Sequence, residues 1–126
     1  MSTLKVTSIQ ATGETATRAV SGVAAAWVNF NGKGVAPLND STNISSLTDN
    51  GTGDYSFSFI SNVTYPYSFQ GSNGDHTSTI TTVRVLALGA ETEVPTSSGF
   101  RVFSLTSAVQ IFDNDYGFIT IHGDLA

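Results

Sequence analysis

The chain is 126 residues long, 40% hydrophobic and 10% aromatic, which suits one small domain with a buried core. Charged residues make up only 12%, with five Lys and Arg in all and a net charge of −5, which argues against nucleic acid and against anionic membrane as partners. There is no Cys, so a disulfide framework and a thiolate zinc site are both excluded, and no apolar run approaches the roughly 18 residues of a membrane span.

With so little charge, the wet surface must be built from Ser, Thr, Asn and Gly, a composition that fits strands better than amphipathic helices. Leu4 to Ile9 predicts a short strand, with no signal-peptide core before it. Ala11 to Gly22 is small and polar, so residues 1–23 read as an N-terminal arm and 24–126 as the folded domain. Ala24 to Phe30 predicts a strand. Asn31-Gly32 after it is a hairpin signal, because both residues tolerate positive φ, and Pro37 argues against a central strand just beyond. Asn43 to Thr48 predicts a strand, and the Asp49 to Asp54 run a tight turn.

Tyr55, Phe57 and Phe59 then alternate with Ser56 and Ser58, the period of a half-buried antiparallel strand. Burying that aromatic face removes several hundred Å2 from water, on the order of 5–10 kcal/mol before opposing costs. Thr64 to Phe69 keeps the period, but Pro66 makes it an edge strand. Residues 71–78 read as a polar loop, 79–88 as an apolar strand and 89–99 as a loop. Phe100 to Leu105, Ser107 to Phe112 and Phe118 to His122 complete the strands, with Asp113 to Gly117 as a turn. About eight short strands with frequent turn signals predict an all-β fold, a small antiparallel β-sandwich or barrel.

Two blocks carry a resemblance. Ala26-Trp27-Val28-Asn29-Phe30-Asn31-Gly32 and Ser45-Ser46-Leu47-Thr48-Asp49-Asn50-Gly51-Thr52-Gly53-Asp54-Tyr55 resemble a module of bacteriophage tail fibres that occurs in marine phages, including cyanophages. The closing strand Phe118 to Asp124 also looks like that module's last strand. The resemblance implies a virion structural protein, assembled in the host cytoplasm and trimeric, that serves as a fibre or appendage domain in host attachment. It implies attachment to another virion protein through the arm. No long collagen-like or helical shaft accompanies the blocks, so a capsid decoration protein is an alternative.

Candidate sites follow from residue type. Trp27 sits among apolar neighbours and reads as core or subunit interface, with the small residues Ala25 and Ala26 allowing chains to approach at a shared axis. The loops holding Asn73, Asp75, His76, Ser97 and Ser98 are expected to meet a host-surface glycan or protein. Tyr65, Tyr67 and Phe69 offer a stacking strip for a carbohydrate-binding module, a further alternative. His76 and His122 lack the spacing of metal ligands, and the Asp-rich runs at 49–54 and 113–117 lack a full calcium loop, so they read as polar residues and turns. Acids fall mainly in turns, and no nucleophile elbow exists, so no enzyme activity and no cofactor are expected.

Overall fold

The computed structural model describes residues 2–3, 5–9, 12, 18–19, 23–35, 38–74, 84–89 and 95–126. Two short strands, β1 (Ser8–Ile9) and β2 (Arg18–Ala19), pair as an antiparallel ribbon. Eight longer strands follow: β3 (Ala24–Phe30), β4 (Leu38–Thr42), β5 (Ile44–Gly51), β6 (Asp54–Phe59), β7 (Ser68–Gly74), β8 (Arg84–Leu88), β9 (Gly99–Thr106) and β10 (Tyr116–His122). They form two four-stranded antiparallel sheets, ordered β4-β3-β10-β7 and β5-β6-β9-β8. The expected all-β sandwich is therefore present, and no helix occurs among the described residues.

Alternation supplies the core. Val28, Phe30, Ile119 and Ile121 point inward from the first sheet, and Tyr55, Phe57, Phe100 and Val102 from the second. Phe57 stacks on Phe100 with ring centroids 5.0 Å apart, and Phe30 meets both Tyr55 and Phe57 edge-on at 5.1 Å. Edge-to-face and offset contacts of this kind add about 0.5–1.5 kcal/mol per pair beyond burial.

Between β4 and β5 the chain passes from the first sheet to the second at a single residue. Asn43 lies between β4 and β5 with φ of 57°, a conformation Asn tolerates better than most side chains. Its amide donates to the carbonyls of Ala25 (3.1 Å) and Ser61 (2.9 Å), and its Oδ1 accepts from the Ser61 N–H (2.7 Å). That corner makes residues 38–42 a separate edge strand, where the sequence suggested only a break after Pro37.

Two further expectations change. Ser107 to Phe112 is not a strand; residues 107–110 form a turn, with a lone bridge from Leu105 to Ile111. The Thr106 hydroxyl accepts from the N–H groups of Ala108 and Gln110, and Val109 adopts φ of 58°. This local capping wins over the strand propensity of Val109 and Ile111. The polar stretch 71–78 is also not a loop throughout, because β7 continues to Gly74 as the partner of β10.

On the outer face of the second sheet, Arg101 grips Asp54 with two parallel bonds, Nε to Oδ1 at 2.7 Å and Nη2 to Oδ2 at 2.5 Å. The guanidinium holds the Asp54 carboxyl below the usual carboxylate range, against a smaller opposing effect of burial. A carboxylate with a lowered folded pKa stabilises above its ordinary value of 3.8, and that contribution fades as pH falls through the folded value. Asp54→Asn is expected to lose about 1–2 kcal/mol at pH 7 and to show a flatter loss of stability below pH 4 than the parent. Urea melts followed by the fluorescence of Trp27, the single Trp, measure both effects.

Candidate functional site

At one end of the sandwich, three segments far apart in sequence are tied in a hydrogen-bonded knot. The Tyr55 hydroxyl, at the start of β6, faces the Gly32 carbonyl at 3.0 Å and the Asp113 carboxylate at 3.1 Å. The same carboxylate oxygen accepts the Gly53 N–H at 2.8 Å, and the Gly32 N–H donates to the Asn114 carbonyl at 2.8 Å. Burial, and next the neighbouring Asp113 charge, push the Tyr55 phenol well above its ordinary pKa, so it stays a donor. Lys33 closes the group with an ion pair to Asp115 at 2.8 Å.

This knot refines one reading. β3 and β4 do pair as an antiparallel hairpin, as the Asn31-Gly32 signal suggests, but among the described residues of the link the positive φ lies at Gly34 and not at Asn31 or Gly32. Gly32 is small for another reason: a Cβ there would run into the Tyr55 hydroxyl and come within 2.9 Å of Asn114 Oδ1. The 113–117 stretch, expected as a turn, is drawn into the knot. Asp113 is held inside the knot, Asn114 is fully buried and Tyr116 already belongs to β10.

The expected recognition residues separate. Asp75 and His76 lie outside the described residues. Asn73 belongs to β7 and is committed between the sheets, its amide donating to Ser104 Oγ at 2.9 Å and to the Val85 carbonyl at 3.3 Å. Ser97 and Ser98 form a tight turn bridged by Thr96 and Gly99, and their carbonyls accept from Val63 and Phe59. Only Ser98 is exposed.

The aromatic strip does not form as a surface. Phe69 turns inward to Phe100, and Tyr67 is half-buried against Phe59 with its hydroxyl on the Gly99 carbonyl, its pKa pushed up to about 12 by burial. Tyr65 alone of the three is exposed. Ala26 is fully enclosed and Ala25 nearly so, hence Ala26 packs within its own sandwich rather than at an interface. Among the described residues no group of three His, Asp or Glu converges to hold a metal.

What the first sheet does carry is an aromatic outer face. Register places Thr42, Trp27, Thr120 and Gln70 in one row across its four strands, and Asp40, Asn29, Phe118 and Ser72 in the next. Tyr116 follows along β10, opposite Gly74. Trp27 is half-buried, while Tyr116 and Phe118 are 43% and 47% exposed. Tyr116 and Phe118 were passed over in the sequence because β10 was read only as a closing strand. The alternation of Gly117, Ile119 and Ile121 with Tyr116, Phe118 and Thr120 was the available signal.

A second feature lies at the end opposite the knot. An open, mostly apolar groove of about 580 Å3 runs beside Val23, Ala24, Asn43, Ile60 and Leu125. Compared with known proteins, the chain matches no family, no curated protein and no solved structure.

Proposed function

We propose that the chain is a non-enzymatic phage virion protein, a trimeric tail-fibre or appendage domain that contacts the host surface and is held to another virion protein by residues 1–23. The observation that carries this reading is the meeting of the two resembling blocks. Gly32 ends the first, Gly53 and Tyr55 end the second, and one hydrogen-bonded knot joins them. Residues that resemble a module in two separate places, and that meet in the fold, support likeness of a folded unit over chance likeness of short strings.

The non-enzymatic part is supported by how the acids are used. Asp54 is clamped by Arg101, and Asp113 by Tyr55 and Gly53, so both carboxylates are engaged in bonds that hold the fold. Attachment is supported by the apolar groove at the end where the chain runs into β3 at Val23.

Gold-labelled antibody against the chain, applied to purified particles of the phage that encodes it, tests the role. Label on the tail or on projecting fibres is expected. Label spread over the capsid shell makes it a decoration protein, and particles without label overturn the virion reading. Light scattering is expected to give the mass of three chains, and a strict monomer at micromolar concentration removes the trimer.

A further inference from the structure

We infer that the outer face of the β4-β3-β10-β7 sheet is a binding platform for a neutral glycan, centred on Trp27 and Phe118. It extends the host-contact reading and takes its biological setting from it, while the chemistry rests on this face alone.

Position comes first. Phe118 is opposite Asn29 and Thr120 is opposite Trp27, so Trp27 and Phe118 are diagonal neighbours on the same face, about 7 Å apart. Tyr116 stands two residues before Phe118 on the same strand, again about 7 Å away. The three aromatic positions therefore step across a sheet surface at intervals comparable to one sugar ring. The two most exposed, Phe118 and Tyr116, leave more than 40% of their area to solvent.

The neighbours then choose the ligand. Thr42, Asn29, Thr120, Gln70 and Ser72 flank the rings with hydroxyl and amide groups, and none of the outward positions in the two rows is Lys or Arg. The single carboxylate in those rows is Asp40. A sulfated, phosphorylated or sialylated chain would find no Lys or Arg among those two rows and would face Asp40. A pyranose presents an apolar C–H face to an aromatic ring and hydroxyls at its rim that exchange hydrogen bonds with amides and hydroxyls.

The same polar flanks weigh against a second copy as the occupant. A flat protein face laid over Asn29, Gln70 and Ser72 would strip water from them without replacing every bond, at a cost for each unpaired group. Among the described residues the other sheet offers no comparable platform, since its outward Phe103 is covered by the Arg101 guanidinium 5.3 Å from the ring centre.

The test uses the full chain and a panel of hexasaccharides: cello-, malto-, manno- and chitohexaose, with a sulfated dextran fragment as the anionic probe. Binding is read by the change in Trp27 fluorescence and by calorimetry. At least one neutral hexasaccharide is expected to bind, with affinity unchanged between 50 and 500 mM NaCl, and the sulfated probe is expected not to bind. Trp27→Ala and Phe118→Ala are each expected to weaken binding at least tenfold, and Phe118→Leu, which keeps the apolar bulk but not the ring, to weaken it by a similar factor with an unchanged Tm.

Absence of binding to every neutral probe at millimolar concentration overturns the inference, as does binding that survives Phe118→Ala or that prefers the sulfated probe. If Phe118→Ala instead turns an oligomer into a monomer without touching glycan affinity, the face is an interface between copies and the inference fails. The gold-labelling result separates the two readings: particle label without glycan binding removes only the platform, and glycan binding without particle label removes only the virion role.

Discussion

Gly32→Ala is expected to be among the most damaging single-methyl changes in the molecule, costing about 3–5 kcal/mol and lowering Tm by roughly 10–20 °C. The new Cβ would occupy the place of the Tyr55 hydroxyl and press on Asn114 Oδ1. Neither neighbour can retreat easily. Tyr55 is fully buried with Phe30 packed against its ring at 5.1 Å, and Asn114 is fully buried as well. Moving the hydroxyl also breaks its bonds to the Gly32 carbonyl and to Asp113, leaving buried polar groups unpaired.

Two controls make the mechanism specific. Gly34→Ala adds the same methyl into open space and is strained only through its φ of +73°, so about 1 kcal/mol is expected. Tyr55→Phe removes the nearest atom that the methyl strikes, while the ring carbon Cζ at 2.7 Å and Asn114 Oδ1 at 2.9 Å remain. In the double variant Gly32→Ala with Tyr55→Phe, the loss is expected to be smaller than the sum of the two single losses by at least 1 kcal/mol. Thermal and urea melts of the four proteins check this, and strict additivity would show that the methyl disrupts something other than the knot.

The knot also shows what was legible in the sequence. The Tyr55, Phe57, Phe59 alternation announced a strand with one buried face, and all three are buried. The turn within the Asp49 to Asp54 run was legible too, although it is shorter than expected, since β5 continues to Gly51 and only Thr52-Gly53 links it to β6; Gly51 and Gly53 both take positive φ. Gly32 misled, because its smallness answers to Tyr55 at a distance of 23 residues rather than to its own backbone. No local pattern encodes a contact of that separation.

The crossing at Asn43 was hidden for a similar reason. A one-residue corner held by a side-chain amide to Ala25 and Ser61 does not stand out within the polar run Asn39 to Asn43. The β4 segment Leu38-Asn39-Asp40-Ser41-Thr42 is almost wholly polar because it is an edge strand, whose neighbours hide little of it. The candidate site was less legible than the fold. Asn73 looked like a loop residue, yet its amide is fixed to Ser104 between the sheets, a polar contact that propensity does not register.

Phe57→Ala is expected to cost about 3–5 kcal/mol, whereas Phe118→Ala is expected to change stability by no more than about 1 kcal/mol. Both are aromatic residues in alternating strands, and the sequence treats them alike. The difference is the face they occupy. Phe57 is 2% exposed, stacks on Phe100 and receives the edge of Phe30, so removing its ring opens a cavity bounded by two rigid rings. Phe118 is 47% exposed between Asn29 and Ser72, where water fills the space that the ring leaves.

Urea melts of the two variants, with m-values compared to confirm two-state unfolding, measure the contrast. Equal losses would mean that the outer face of the first sheet is as tightly packed as the core, and would remove the physical basis for a free aromatic surface. A large gap is expected because period-two alternation divides each strand between two tasks. On β6 the aromatic residues fill the interior and Ser meets water. On β10 Ile119 and Ile121 fill the interior, which leaves Tyr116 and Phe118 outside at positions where the fold itself has no use for a ring.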